Sequence, residues 1–276
     1  MPGALRARSR VAPQKRPGTQ RAALERACVD ARAGFLLTRG VKGHHPLRAL
    51  RFLECLAVAA VALTAYLRFC PRAASWPLET AIDGPAPATA AGVLLILHGR
   101  GGSIARSAQL VKRVRDAGLP ADISIVLVEG PFSTPFGHAW GNDAAGQAAS
   151  RARVRARLAE LLGARGPRPA RVVVAGFSQG AGVAGDLAVE EPRIGALASF
   201  SPCGFWLRDQ LPKRIGLRVL LAHGNRDTVC PVDESRSLAQ ILKHAGLPMQ
   251  YLEFDGEHTI PADVVRALVV FATAVP

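Results

Sequence analysis

The residues best placed to do chemistry begin with Ser178. It sits in Gly176-Phe177-Ser178-Gln179-Gly180, after the apolar run Arg171-Val172-Val173-Val174-Ala175 and before a helix-length segment, Ala181 to Glu190. A G-x-S-x-G sequence between a buried strand and a helix makes a turn too tight for a Cβ at either glycine, and it pushes the serine hydroxyl up at the strand's carboxyl end. That hydroxyl is a weak nucleophile near neutral pH. It needs an imidazole to take its proton, and the imidazole needs a carboxylate to fix its tautomer.

Seven histidines compete for the base. His258 is assigned it, because it follows the apolar run Met249 to Phe254 by four residues, in a glycine-containing loop able to reach back over a sheet edge. His98 and His223 each precede a glycine in a tight turn and read as hydrogen-bonded structural residues; His138 lies in a long loop and is placed at the pocket. For the acid, Asp227 falls six residues beyond Leu221, with Pro231 ending its loop. Asp233, Asp255 and Glu257 are its rivals, each also readable as a turn or capping carboxylate. Asp255 is only three residues from His258, and one loop rarely gives two such side chains a facing geometry. The oxyanion donors are expected to be the backbone N–H groups of Gln179 and of Arg100, the latter in the turn His98-Gly99-Arg100-Gly101-Gly102. That turn lacks the GK[ST] ending of a P-loop and the G-x-G-x-x-G spacing of a dinucleotide site.

These residues have to be carried by a scaffold. Short apolar runs at Val93 to Leu97, Ile123 to Val128, Arg171 to Ala175, Ala196 to Phe200, Leu217 to Leu221 and Met249 to Phe254 predict strands buried on both faces. Helix-length segments alternate with them: Ile104 to Ala117, Asp143 to Leu162, Ala181 to Glu190, Glu234 to Ala245 and Ala262 to Thr273. The alternation predicts an α/β fold, a mostly parallel sheet with helices on both faces, and such sheets bind ligands beyond the carboxyl ends of their strands. Residues 88–276 are expected to form this domain, after a linker over 71–87 rich in Pro, Gly and Ala.

The 276 residues carry a net charge of +14, unevenly spread. Residues 1–75 hold 14 Lys and Arg against 3 Asp and Glu, and the rest hold 21 against 18. Residues 1–46 lack periodicity and apolar content and are expected to be disordered. Over 47–70 an uncharged run of thirteen residues, Cys55 to Leu67, is short for a bilayer span and suits a signal core, an anchor or a packing helix. It starts far from the amino terminus for a signal; initiation at Val41, from a GTG codon, would restore the usual position. Export, membrane contact through 47–67 and a cytoplasmic location therefore all stay open. The arginines stand mostly alone among Ala, Pro and Gly without interleaved aromatics, so nucleic acid is not an expected partner. Five cysteines at no metal-type spacing indicate neither a disulfide framework nor a zinc site, and they leave open whether Cys203 and Cys230 are buried thiols or a pair.

Leu97-His98-Gly99-Arg100-Gly101-Gly102, Gly176-Phe177-Ser178-Gln179-Gly180, His223-Gly224 followed by Asp227, and the late His258 together resemble the phospholipase/carboxylesterase family of α/β-hydrolases, which includes acyl-protein thioesterases and small bacterial carboxylesterases. The resemblance covers about residues 88 to 276 and also fits the chain order Ser, Asp, His. It implies hydrolysis of carboxylic esters or thioesters through an acyl-enzyme, with no metal or organic cofactor. Trp140, in the segment similar to the family's substrate-side loop, is the implied wall of the acyl pocket; Phe132 and Cys203, each just past a strand end, are the other expected substrate contacts. Asp255-Gly256-Glu257-His258 departs from the family's glycine-rich approach to the histidine. Only sixteen residues separate Phe200 from Leu217, too few for a lid domain, so an open groove for a small ester or acylated substrate is expected. Rival readings are a peptidase or lipase on the same fold, or a membrane-tethered binding protein without turnover.

Overall fold

The structure is a computed structural model and describes residues 78–166, 168, 171–204 and 208–274. The leader over 1–46 and the apolar segment over 47–70 lie outside the described residues. No helix among the described residues is long and apolar enough to cross a membrane.

The runs of Val, Ile and Leu form the sheet. Strands β1 (Thr80–Asp83), β2 (Gly92–Leu97), β3 (Ile123–Val128), β6 (Val172–Phe177), β7 (Ala196–Phe200), β8 (Arg218–Gly224) and β9 (Met249–Phe254) join in the order β1-β3-β2-β6-β7-β8-β9, while β4 (Phe132–Thr134) and β5 (Gly137–Ala139) make a separate hairpin. Six strands run parallel, and β1 lies antiparallel on β3, with Thr80 opposite Val128. Every residue of β2 and β3 is buried, whereas the edge strand β9 is only partly covered, as expected of centre and edge in a parallel sheet.

Because side chains alternate across a strand, the sheet feeds two cores. Leu95, Leu97, Val174 and Leu221 meet Val154 and Leu158 of α2 (Ala144–Leu162), Val183 and Leu187 of α3 (Gln179–Glu190), and Leu238 and Leu242 of α4 (Val232–His244). On the opposite face Leu94, Ile96, Ala175 and Leu220 meet Val111 and Val114 of α1 (Ile104–Asp116) and Val264 and Leu268 of α5 (Ala262–Thr273). Helix starts follow local chemistry: the Ser103 hydroxyl accepts from Arg106 N–H, and the Asp143 carboxylate accepts from Gly146 N–H. Pro231 and Pro261 precede α4 and α5, where a missing N–H costs nothing.

One sequence boundary needs correction. The segment 71–87 is not simply a linker, since Thr80–Asp83 within it is the edge strand β1. Four residues followed by Gly84 and Pro85 give too little pattern to stand out, and the strand exists because β3 offers it a free edge. The β4–β5 hairpin and a short 3₁₀ helix at Arg208–Lys213, between β7 and β8, also went unread in the sequence.

Candidate active site

The parallel strands deliver their carboxyl ends to one rim. There Ser178 follows β6 directly and precedes α3, with φ at 56°, a left-handed conformation that costs a non-glycine residue about 1–3 kcal/mol. The flanking glycines are obligatory. A Cβ on Gly176 would collide with Gly180 O, and one on Gly180 would collide with His98 O. The turn is held from below, since Ser178 N–H donates to Phe200 O (2.9 Å) and Ser178 O accepts from Cys203 N–H (3.2 Å). Among the described residues the hydroxyl itself has no hydrogen-bond partner.

Asp227 and His258, thirty-one residues apart, meet at 2.7 Å between Oδ2 and Nδ1. A carboxylate only accepts, so Nδ1 carries the proton and Nε2 keeps its lone pair. Asp227 Oδ1 accepts from Val229 and Cys230 N–H, each at 2.9 Å, and His223 Nε2 lies 3.2 Å from Oδ2. Burial alone would raise this carboxyl, but the Cys230 N–H, the His258 bond and the Val229 N–H outweigh it and hold the group at about 2. The His258 ring also stacks obliquely on Phe177, centroids 4.6 Å apart, which sets the imidazole against the residue preceding Ser178. The rival carboxylates are engaged elsewhere or exposed: Asp255 pairs with Arg226 and Asp233 with Arg236, and Glu257 faces solvent.

The turn after β2 presses on Ser178 from the other side. A Cβ on Gly99 would lie 3.2 Å from Ser178 Cβ, so glycine allows that approach. His98 is buried beneath the turn. Its Nε2 accepts from Gly130 N–H (3.0 Å) and its Nδ1–H therefore donates to Gly99 O (2.8 Å), while burial keeps its pKa below the ordinary histidine value. The hairpin braces the same turn, with Gly101 N–H donating to His138 O and His138 N–H to Gly102 O. Glu129 Oε2 accepts from Ile104 N–H at the start of α1. Neither Arg100 N–H nor Gln179 N–H donates to an acceptor among the described residues, and the latter belongs to the positive end of α3.

A family profile described as serine hydrolase (FSH1) matches residues 89–266. The chain belongs to this serine hydrolase family. No curated protein matches the sequence. Among solved structures, the esterase PE8 is 26% identical, covering 72% of this chain and 99% of its own, with a TM-score of 0.62. A carboxylesterase from Bacillus cereus is 18% identical (72% and 94% covered, TM-score 0.56), and a phospholipase/carboxylesterase from Dyadobacter fermentans is 21% identical (71% and 96% covered, TM-score 0.54). The fold of this FSH1-family chain is thus the α/β-hydrolase fold, in keeping with the family resemblance of its motifs.

One expected substrate contact, Trp140, requires correction. Trp140 is fully buried in the core; its indole N–H donates to His98 O (2.7 Å) and its backbone N–H to Gln179 Oε1 (3.0 Å), so it is a strut behind the site rather than a wall of it. Phe132 is half-buried near the start of α2, with its ring tip 3.7 Å from where a Cβ on Gly146 would stand. Cys203 is joined to Cys230 by a disulfide, Cα atoms 5.6 Å apart. His138 is half-buried with Nδ1 on Gly130 O, and it serves the turn as described. The Gln179 side chain, which the sequence marked only as part of the motif, clamps the Trp140-Gly141 backbone, donating from Nε2 to Gly141 O (2.5 Å).

An apolar crevice in this FSH1-family member lies under the Gly99–Gly102 turn. It has a volume of about 280 Å³ and runs between α1 and the sheet, lined by Ile96, Leu110, Ala175, Phe177, Phe200 and Ile260. Arg100 and Arg106 stand at its rim. Sequence reasoning missed it because its walls come from five separate segments.

Proposed function

We propose that the chain is a serine esterase that cleaves carboxylic esters or thioesters through an acyl-enzyme on Ser178, with Asp227 and His258 completing the triad. The observation that carries this is the 2.7 Å pairing of His258 with Asp227, in the tautomer a general base needs, on a ring packed against Phe177 beside the nucleophile. Family membership and the esterase neighbours support ester hydrolysis on the same grounds.

In this reading His258 Nε2 takes the Ser178 proton as Oγ attacks the carbonyl, a contact that tightens when substrate is bound. The oxyanion is received by Arg100 and Gln179 N–H. The imidazolium then protonates the leaving alcohol or thiol, and the same imidazole activates water to release the acid. The crevice under the Gly99–Gly102 turn takes the aliphatic part of a small ester. It offers room for on the order of nine heavy atoms, if each occupies the roughly 30 Å³ of a liquid water.

Hydrolysis of p-nitrophenyl esters of two to twelve acyl carbons, alongside matched thioesters and anilides, tests the reading. Turnover of the short and medium esters, lost in Ser178→Ala, is expected. Cleavage of the anilides in preference to the esters would make the chain a peptidase-type hydrolase, and no turnover of any of them would leave a binding protein.

A further inference from the structure

The disulfide between Cys203 and Cys230 connects the two halves of the site, which the hydrolase reading does not require. Cys230 is built into the acid turn. Its N–H donates to Asp227 Oδ1 (2.9 Å) and its carbonyl accepts from His223 Nε2 (3.0 Å), the same nitrogen that approaches Asp227 Oδ2. The other nitrogen of His223 faces the buried Ser235 hydroxyl at 2.6 Å, so the ring is fixed at both ends. Cys203 is built into the nucleophile turn. Its N–H donates to Ser178 O (3.2 Å), and its carbonyl packs on the α-carbon of Gly182 so closely that a Cβ there would collide with it.

We propose that the Cys203–Cys230 bond is a positioning clamp. It locks the turn bearing Asp227 to the elbow bearing Ser178, so that the catalytically competent enzyme is the oxidised one. The two cysteine backbones already hold the acid and the nucleophile by separate hydrogen bonds, and the sulfur bridge is the covalent link between those two sets. Val229, in the same turn as Asp227, is exposed, so little side-chain packing covers the outer part of this turn and the bond adds a covalent restraint to its hydrogen bonds. A clamp of this kind suits an oxidising compartment, where disulfides persist. A dithiol reductant would undo it by two thiol–disulfide exchanges, leaving two cysteine thiols and its own cyclic disulfide.

The inference rests on the triad assignment and is tested with the purified chain, its thiols counted by alkylation before and after dithiothreitol. Reduction, and independently the double variant Cys203→Ala/Cys230→Ala, should lower kcat on a short p-nitrophenyl ester by roughly 10- to 100-fold, the effect expected of a displacement near 1 Å at a reacting group. KM should change less. Loss of a bond that serves only stability would lower the melting temperature and leave kcat unchanged, and that result would overturn the proposal. Finding Cys203 and Cys230 both alkylated in active protein that has met no reductant would overturn it too. Should the double variant not fold, reduction of the folded wild type gives the answer alone. An oxidised chain without any esterase activity would instead defeat the triad reading itself.

Discussion

Two turns of this molecule open with the same dipeptide. His98-Gly99 follows β2 and His223-Gly224 closes β8, and in both the histidine is buried with both ring nitrogens engaged. In both, the glycine admits a neighbouring segment of the proposed triad: a Cβ on Gly99 would crowd Phe177 and Ser178, and one on Gly224 would collide with the backbone of Gly256 and Glu257, which leads to His258. They differ in what they leave open. The first turn keeps an N–H free at Arg100 and is braced by the hairpin through backbone bonds, whereas the second gathers hydrogen bonds onto one carboxylate and is tied by a disulfide. In the proposed mechanism the first turn receives a transient negative charge and needs open donors, while the second holds a permanent charge and needs its donors all engaged.

The comparison can be broken most severely at the carboxylate. Asp227→Asn should lower kcat by about 10⁴-fold, since an amide can donate to His258 and favour the wrong tautomer. With the folded carboxyl at about 2 and its ordinary value near 3.8, the native contacts of Asp227 stabilise the fold fully above the ordinary value and lose that contribution as pH falls through 2. The shift corresponds to about 2 kcal/mol, so chemical denaturation between pH 4.5 and 2 should show a shallower acid slope in Asp227→Asn than in the wild type. Next comes Gly224→Ala. Its Cβ would strike backbone that cannot yield, so displacement of the His258 loop should cost about 10²-fold or more in kcat together with about 1–3 kcal/mol of stability. Gly99→Ala meets its neighbours at 3.2 Å, which small shifts accommodate, and should cost only about tenfold with little change in melting temperature. Equal losses at the two glycines would show that the turns are not specialised in this way.

The smallest effect concerns His98. Burial lowers its folded pKa below 6.5, so the unfolded chain takes up the proton first and stability falls as pH drops below that value. His98→Gln, which does not titrate, should flatten the stability profile between pH 7 and 5, measured by urea denaturation at each pH.

Much of this was legible in the sequence, for physical reasons. Strands buried on both faces read as unbroken apolar runs, so Ile123–Val128 and Ala196–Phe200 appear where the pattern places them; Met249–Phe254 also forms a strand, but as the partly covered edge rather than one buried on both faces. Helix α4 begins at Val232 rather than Glu234, because the residues after Pro231 are already free to turn. The serine stood out because its turn constrains three positions at once. What stayed hidden depends on partners distant in sequence. β1 exists by pairing with β3, Trp140 is drawn inward by acceptors at His98 and Gln179, and Cys203 finds Cys230 across twenty-seven residues. A tryptophan that looks like a pocket wall in one dimension becomes a strut once its indole and backbone N–H groups each find an acceptor.

The most direct measurement of the central assignment is the site of covalent attack. The chain would be treated with a fluorophosphonate, digested and sequenced by mass spectrometry, in the wild type and in His258→Ala. One adduct on Ser178, formed rapidly in the wild type and slowed by orders of magnitude without His258, is the result expected. An adduct on another residue, or undiminished labelling of Ser178 in the His258 variant, would contradict the account.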